Sequence, residues 1–348
     1  MAKKVVTGKG YLIPWPLLRN YLSQLGPLLF FVAKNSNLIL ENMPAYKTRL
    51  RLHRKPWAYI KNESEFDSRK ILKEEDYKDL PPLKNEPFLR PTRMCESDAP
   101  EIRAIAKKLG AGKLSDEKFA EAAYNWVMHE KKLIFKPLGG ALNTFRTKGG
   151  TCLDQLSLLV AISRAGGVPA RYRLYGLVPD QQIYDLWLGP NPILRETYDT
   201  LGFLEALHGE AELFINGKWV AGDPTFSPEL NAGMGLPVTH FGEEPGWRIR
   251  VEGKGDIRFE SFPAGFKHLM SGVLAIVQKS IDQINNTMND LREKCEKILD
   301  EIGIEEYIRK NKKHFKPSIP SVSEVHAFRK KKKDAEEPFA SSVLSEDD

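Results

Sequence analysis

The chain has 348 residues, of which 41% are hydrophobic and 28% charged, and its formal net charge is +6. This composition is typical of a globular protein with one sizeable core or two domains, and it argues against a disordered chain. The three cysteines, Cys95, Cys152 and Cys295, are far apart and lack the paired spacing of a disulfide framework or a zinc ribbon. We therefore expect a reducing, cytoplasmic location.

The N-terminal segment is strongly basic. Residues 1–62 contain eleven Lys or Arg and a single Glu. Their most apolar stretch, Leu17 to Val32, is interrupted by polar residues such as Arg19, so we expect no secretory signal and no transmembrane segment. No sustained helical periodicity is visible in residues 1–60. Basic runs are usually solvated surfaces, which makes contact with nucleic acid or an anionic membrane the minor alternative.

Two helices and a short strand are predicted ahead of the central cysteine. Asp98-Ala99-Pro100-Glu101 predicts a helix start with Asp98 as its cap. Ser115 is the predicted cap of a second helix, whose buried face includes Trp126-Val127. A strand is predicted at Leu133-Ile134-Phe135.

The most informative stretch is Gly149-Gly150-Thr151-Cys152, which leads into an apolar run that Gly166-Gly167 terminates. This pattern predicts a buried helix of about four turns, capped by Thr151, with Cys152 in its first turn. A helix N-terminus favours a thiolate, which is the reactive form of a cysteine nucleophile. A lone cysteine is more often a small core residue, so the remaining motifs must decide.

Downstream, Asn216-Gly217 lies between two alternating runs and predicts a β-hairpin, preceded by a strand over residues 168–178. In a two-residue hairpin, positions equidistant from the turn face each other. His208 and Asp223 then become diagonal neighbours at the open end, where a carboxylate can orient an imidazole. Residues 179–207 are interpreted as an insertion bordering the cleft, with a short helix near its end.

The C-terminal part is predicted to be helical and then disordered. A strand pair is expected between Trp247 and Phe259, after which residues 264–302 show a long amphipathic pattern that contains Cys295. This helix is expected to pack on the body of the protein or on a partner. The charged tail over residues 317–348 is predicted to be disordered.

Residues 98–228 resemble the transglutaminase-like superfamily, which has a papain-like cysteine domain. The matching pieces are the helix with Trp126-Val127, Gly149-Gly150-Thr151-Cys152, Arg164-Ala165-Gly166-Gly167-Val168-Pro169-Ala170-Arg171, His208, Gly217-Lys218-Trp219 and Asp223-Pro224-Thr225. The resemblance implies an α+β fold, in which a helix bearing Cys152 packs on an antiparallel sheet bearing His208 and Asp223. It also implies four parts, which are an N-terminal extension (1–97), a catalytic domain (98–263), a helical region (264–316) and a tail (317–348).

By the same resemblance, Cys152 is the nucleophile, His208 the general base and acid, and Asp223 the residue that orients the imidazole. Such a triad attacks an amide carbonyl and forms a thioester. We expect a peptidase or amidase acting on a peptide or protein amide, with no cofactor, no metal and no nucleic-acid partner. The alternatives are a protein-glutamine transamidase and a non-catalytic binding module. One departure is Glu210, because family members commonly carry an aromatic residue two positions after the histidine.

Overall fold

The structure is a computed structural model that describes residues 4–6, 10–34, 36–37, 40–41, 78, 80, 82–179, 208–245, 248–251, 257–276 and 278–311. Three parts of the chain lie outside these residues: the stretch from Tyr46 to Tyr59, whose loose alternation in the sequence predicts a strand, nearly all of the 179–207 insertion, and the 317–348 tail.

Helices and strands are interspersed along the described chain. The helices are α1 (Trp15–Lys34), α2 (Pro100–Lys108), α3 (Asp116–Glu130), α4 (Ala141–Arg146), α5 (Cys152–Ala165), α6 (Pro228–Gly233), α7 (Phe266–Ile276), α8 (Gln278–Ile302) and α9 (Ile304–Asn311). The strands are β1 (Lys4–Val6), β2 (Leu12–Pro14), β3 (Lys132–Leu133), β4 (Gly149–Gly150), β5 (Ala170–Pro179), β6 (His208–Ile215), β7 (Lys218–Gly222), β8 (Arg248–Val251) and β9 (Ile257–Phe259).

The centre of the fold is an antiparallel sheet in the order β7-β6-β5-β8, with β9 also pairing with β5. On β5, buried Tyr172 and Leu174 alternate with Arg171 and Arg173, because successive side chains of a strand point to opposite faces. The apolar face packs against α5. The predicted α+β class, with the cysteine helix lying on an antiparallel sheet, is confirmed.

Helix α5 lies in the middle of the core, and every residue from Leu153 to Ala165 is buried. A helix that is buried on all sides is apolar on most of its surface, which explains why apolar residues dominate this part of the sequence. Its one basic side chain, Arg164, is satisfied by backbone carbonyls. The guanidinium donates to Ala170 O at 2.8 Å, to Arg90 O at 2.9 Å and to Glu260 O at 2.9 Å.

The N-terminal segment corrects one prediction. Helix α1 covers 20 residues in a region where no sustained helix was expected. Pro16 occupies its first turn, where the missing N–H costs nothing. Gly26 and Pro27, which normally weaken a helix interior, lie within it. No sustained helix was expected because Gly26-Pro27, which normally end a helix, interrupt the apolar pattern of this stretch.

Four smaller features also differ from expectation. The N-cap residue of helix α2 is Ala99, and no side-chain hydrogen bond caps this helix, so Asp98 is not its cap. Strands β8 and β9 do not form the expected pair within the described residues, because each pairs with β5. Strand β3 begins at Lys132 and pairs in parallel with β4. The expected helix over 264–302 is described as α7 and α8, on either side of residue 277.

Helix α8 packs on the body of the protein, which was one of the two arrangements expected for this region; the other was packing on a partner. The apolar side of α8 is buried, and Cys295 lies on it. The amide of Asn285 bonds both the N–H and the carbonyl of Phe135 at 2.9 Å, and Arg292 donates to Leu133 O at 2.7 Å. Helix α8 therefore supports the segment that runs toward the cysteine loop.

Candidate active site

Cys152 is the first residue of α5, as predicted, and a tight backbone contact fixes the segment before it. Gly149 and Gly150 pair with Lys132 and Leu133 in a short parallel ladder. A Cβ atom at Gly149 would lie 1.9 Å from the carbonyl oxygen of Lys132. Only glycine permits this approach, which explains why a glycine pair precedes Cys152.

The start of α5 is closed by a capping box between Thr151 and Asp154. The buried Asp154 carboxylate accepts from Gly139 N and Gly140 N at 2.9 Å, and from Thr151 N and Oγ1 at 3.1 and 3.0 Å. Burial raises the pKa of Asp154, whereas these donors and the charge of Lys136 oppose the rise. Sequence reasoning identified Thr151 but missed Asp154, although the Thr-x-x-Asp spacing is a recognised capping pattern.

The predicted hairpin is confirmed in register. Ile215 pairs with Lys218 next to the turn, and the ladder continues to Ala211 and Gly222. The ladder ends there, so Asp223 lies one residue beyond β7.

His208 and Asp223 meet at the open end of this hairpin. His208 Nε2 lies 2.8 Å from Asp223 Oδ2, and both side chains are buried. The diagonal relation expected from the hairpin is therefore present as a direct contact between the imidazole and the carboxylate.

The other oxygen of Asp223 is held by Thr225. The Thr225 backbone N–H donates to Asp223 Oδ1 at 3.1 Å, and the Thr225 hydroxyl donates to the same atom. Both donors orient the carboxylate so that Oδ2 faces His208. Thr225 was part of a matching motif, but its role could not be derived from spacing because it depends on the conformation after β7.

Gln155 connects the cysteine helix to this loop. With its amide nitrogen turned toward Pro224, it donates to the Pro224 carbonyl at 2.8 Å and its oxygen accepts from Leu133 N at 3.2 Å. Gln155 is buried and lies one turn after Cys152. The side of the site that carries Cys152 is thereby tied to the side that carries Asp223.

The electrostatics of Cys152 contradict the expectation of a lowered thiol pKa. Cys152 is half-buried at the start of α5. Burial, followed by the nearby Asp223 carboxylate, raises the pKa of Cys152 to about 12, and the backbone N–H groups at the helix start only partly oppose this. The thiolate therefore needs a positive partner, and the helix N-terminus alone does not supply it.

Glu210 lies on the same face of the sheet as His208. Its buried carboxylate pairs with Arg173 at 2.8 Å and lies 3.4 Å from the Tyr175 hydroxyl. The Tyr175 ring meets His208 edge to face, with centroids 6.3 Å apart. Where relatives commonly carry an aromatic residue, this chain therefore places an ion pair, and Tyr175 supplies the ring beside the histidine.

Comparison with known proteins gave matches over part of the chain. Residues 103–224 match the family model described as Transglutaminase-like superfamily. A crystal structure from Cytophaga hutchinsonii, described as that of a candidate cysteine protease, is 26% identical over 40% of each chain, with a TM-score of 0.29. The comparison with curated proteins gave no match.

The matched segment contains α5 with Cys152 at its first residue, the hairpin with His208, and Asp223. These findings support a cysteine-based enzyme in general terms. Residues 103–224 thus form a domain that is similar to the transglutaminase-like superfamily.

Proposed function

We propose that the protein is a cysteine enzyme that cleaves an amide through a thioester, with Cys152 as nucleophile, His208 as general base and acid, and Asp223 as the residue that orients the imidazole. The observation that carries the proposal is the buried contact of 2.8 Å between His208 Nε2 and Asp223 Oδ2, together with Cys152 at a helix start, where the Asp223 charge acts on its thiol. Because Nε2 faces Asp223, proton exchange with Cys152 falls to Nδ1.

The raised pKa of Cys152 defines how the thiol is activated. At neutral pH the isolated thiol is protonated, so attack requires transfer of its proton to His208 as the C–S bond forms. The Asp223 charge opposes the thiolate, but it stabilises the imidazolium that this transfer creates. The imidazolium then protonates the leaving amine as the C–N bond breaks.

The acyl acceptor decides between two outcomes. Water attacks the thioester to give hydrolysis, and a primary amine gives transamidation. We favour a peptidase or amidase, because nothing in the sequence resembles the additional β-domains or calcium sites of animal cross-linking enzymes. All three cysteines lack disulfide partners, which supports a reducing compartment such as the cytoplasm.

Acylation by p-nitrophenyl acetate, followed by intact mass and peptide mapping, tests the proposal. We expect a single acetyl group on Cys152, with Cys95 and Cys295 unmodified because both are buried. His208→Ala should slow acylation by about 10²–10⁴-fold, the usual contribution of a general base. Asp223→Asn keeps the shape of the side chain and should also slow the reaction.

The fate of the acetyl group gives the second measurement. Release into water alone supports a hydrolase, whereas transfer to added methylamine in preference to water supports a transamidase. Equal acylation of wild type and both variants, with all three folded, would refute a catalytic role for the triad and favour a binding module.

A further inference from the structure

Helix α1 presents large apolar side chains to solvent. Leu22, Leu25 and Leu29 are 58%, 42% and 67% exposed, and Trp15 and Phe30 are 45% and 66% exposed. Trp15, Leu22, Leu25 and Leu29 recur at intervals of three, four and seven residues, which places them along one side of the helix. A row of this kind is the expected signature of a binding surface.

The row is attached firmly to the enzyme domain at one end. Leu17 is fully buried in the central core, and Leu18 packs against that core. Just before the helix, Leu12 N donates to the buried Glu260 at 3.4 Å, and Arg90 donates to Gly10 O at 2.8 Å. Whatever binds the exposed side of α1 therefore also positions the domain with the candidate triad.

The charges around the row favour an anionic surface. Residues 1–40 contain five Lys or Arg and no Asp or Glu, and Glu41 is the first acidic residue of the chain. Arg19 is exposed on α1 itself, and Lys34 ends the helix. A helix with exposed leucine and aromatic side chains and basic residues, without acids, is the pattern of helices that lie in the interface of an anionic bilayer.

Neither a membrane crossing nor a second copy of the chain fits as well. Within the described residues, none of the helices combines the length and the apolar character that a membrane crossing requires. In a symmetric dimer each α1 would face its own copy, and this would bring two basic segments together. An anionic lipid surface instead satisfies the apolar row and the positive charges at once.

We infer that α1 docks the protein on an anionic membrane surface, inserting Leu22, Leu25, Leu29 and their neighbours among the lipid headgroups. This inference is independent of the proposed amide chemistry. It concerns where the enzyme acts, and it favours substrates at or near such a surface.

Co-sedimentation of the full chain with vesicles tests the inference. Vesicles of two parts phosphatidylcholine to one part phosphatidylserine should bind the protein, and pure phosphatidylcholine vesicles should bind it at least about tenfold more weakly. The triple variant Leu22→Gln, Leu25→Gln and Leu29→Gln should lower binding to the anionic vesicles by at least about tenfold. Its unfolding midpoint should match wild type, because these side chains are exposed.

Two controls separate the apolar and charged contributions. Leu114→Gln makes the same change at a residue that is 45% exposed on the enzyme domain, and it should leave vesicle binding unchanged. The pair Arg19→Gln and Lys34→Gln should reduce binding to anionic vesicles about tenfold, with no change on neutral ones.

Three results would overturn the inference. The first is the absence of binding to either vesicle. The second is equal binding to both, which would remove the role of charge. The third is a dimer in lipid-free solution that the triple leucine variant dissociates, since α1 would then be occupied by a second copy.

Discussion

Replacing Asp154 by asparagine tests whether one buried carboxylate holds the start of the cysteine helix. The carboxylate accepts four hydrogen bonds, two on each oxygen, and all four come from the segments 139–140 and 151. In the Asp154→Asn variant one of these oxygens becomes an NH₂ group, which is itself a donor. When it faces Thr151 it cannot pair with the backbone N–H and can only donate to the hydroxyl, so two hydrogen bonds to a charged group are lost and one neutral bond replaces them.

The expected cost follows from those two bonds. Each hydrogen bond to a charged group is worth about 1.5–3 kcal/mol. A neutral asparagine does not carry the cost of burying a charge, the same cost that raises the pKa of Asp154, and this offsets part of the loss. We therefore expect the free energy of unfolding to fall by about 3 kcal/mol, a large share of the roughly 5–15 kcal/mol that stabilises a typical domain. Acylation of Cys152 should slow as well, because its helix turn loosens.

Guanidinium unfolding followed by tryptophan fluorescence measures the loss. Asp116→Asn is the matched control, since Asp116 also lies in the first turn of a helix but is exposed. We expect that variant to remain within about 0.5 kcal/mol of wild type. A change of similar size in both variants, or none at Asp154, would show that the carboxylate does not hold this turn.

Three further substitutions test other contacts. Thr225→Val removes the hydroxyl donor to Asp223 and should slow p-nitrophenyl acetate acylation about tenfold, whereas Thr225→Ser should retain the rate. Gly149→Ala should cost at least about 3 kcal/mol in urea unfolding because of the 1.9 Å approach to Lys132 O, while Gly272→Ala, with open space around it, should cost nothing. Burial lowers the pKa of Lys131 to about 7, so the unfolded chain binds an extra proton between about pH 7 and the ordinary lysine value of 10.5. The free energy of unfolding should consequently rise between pH 7 and 9 by about 2 kcal/mol more in wild type than in Lys131→Met; a parallel pH dependence in the two proteins would contradict this.

The parts of the site that the sequence predicted depend on local signals. The glycine pair, the Thr151 cap and the apolar run place Cys152 at a helix start without reference to any distant residue. Asn216-Gly217 likewise sets the hairpin register, which brings the end of β7, and with it Asp223, toward the strand that begins at His208. These signals are short in range, which is why periodicity and turn chemistry were sufficient.

The parts that the sequence did not predict depend on contacts between distant segments. Gln155 reaches Pro224 only because α5 lies on the sheet, and Arg173 neutralises Glu210 only because β5 and β6 are paired. The direction of the Cys152 pKa shift could not be foreseen either, because the helix start predicts a decrease and burial with Asp223 reverses it. Helix α1 was not predicted because Gly26-Pro27 interrupt its apolar pattern, although the helix continues through both residues.

The five residues from Thr151 to Gln155, at the first turn of α5, provide the helix cap, the cysteine and the contacts to two neighbouring segments. Thr151 and Asp154 close the helix end and hold residues 139–140, while Gln155 holds the loop that follows Asp223. Cys152 lies between these contacts, so its position relative to His208 is determined by buried hydrogen bonds on either side of it. Since these bonds share one turn of backbone, substitutions at Asp154 and Gln155 should not be additive in their effect on acylation. The fold thus positions Cys152 through the polar contacts of its helix turn, and in the proposed mechanism His208 and Asp223 control when its thiol reacts.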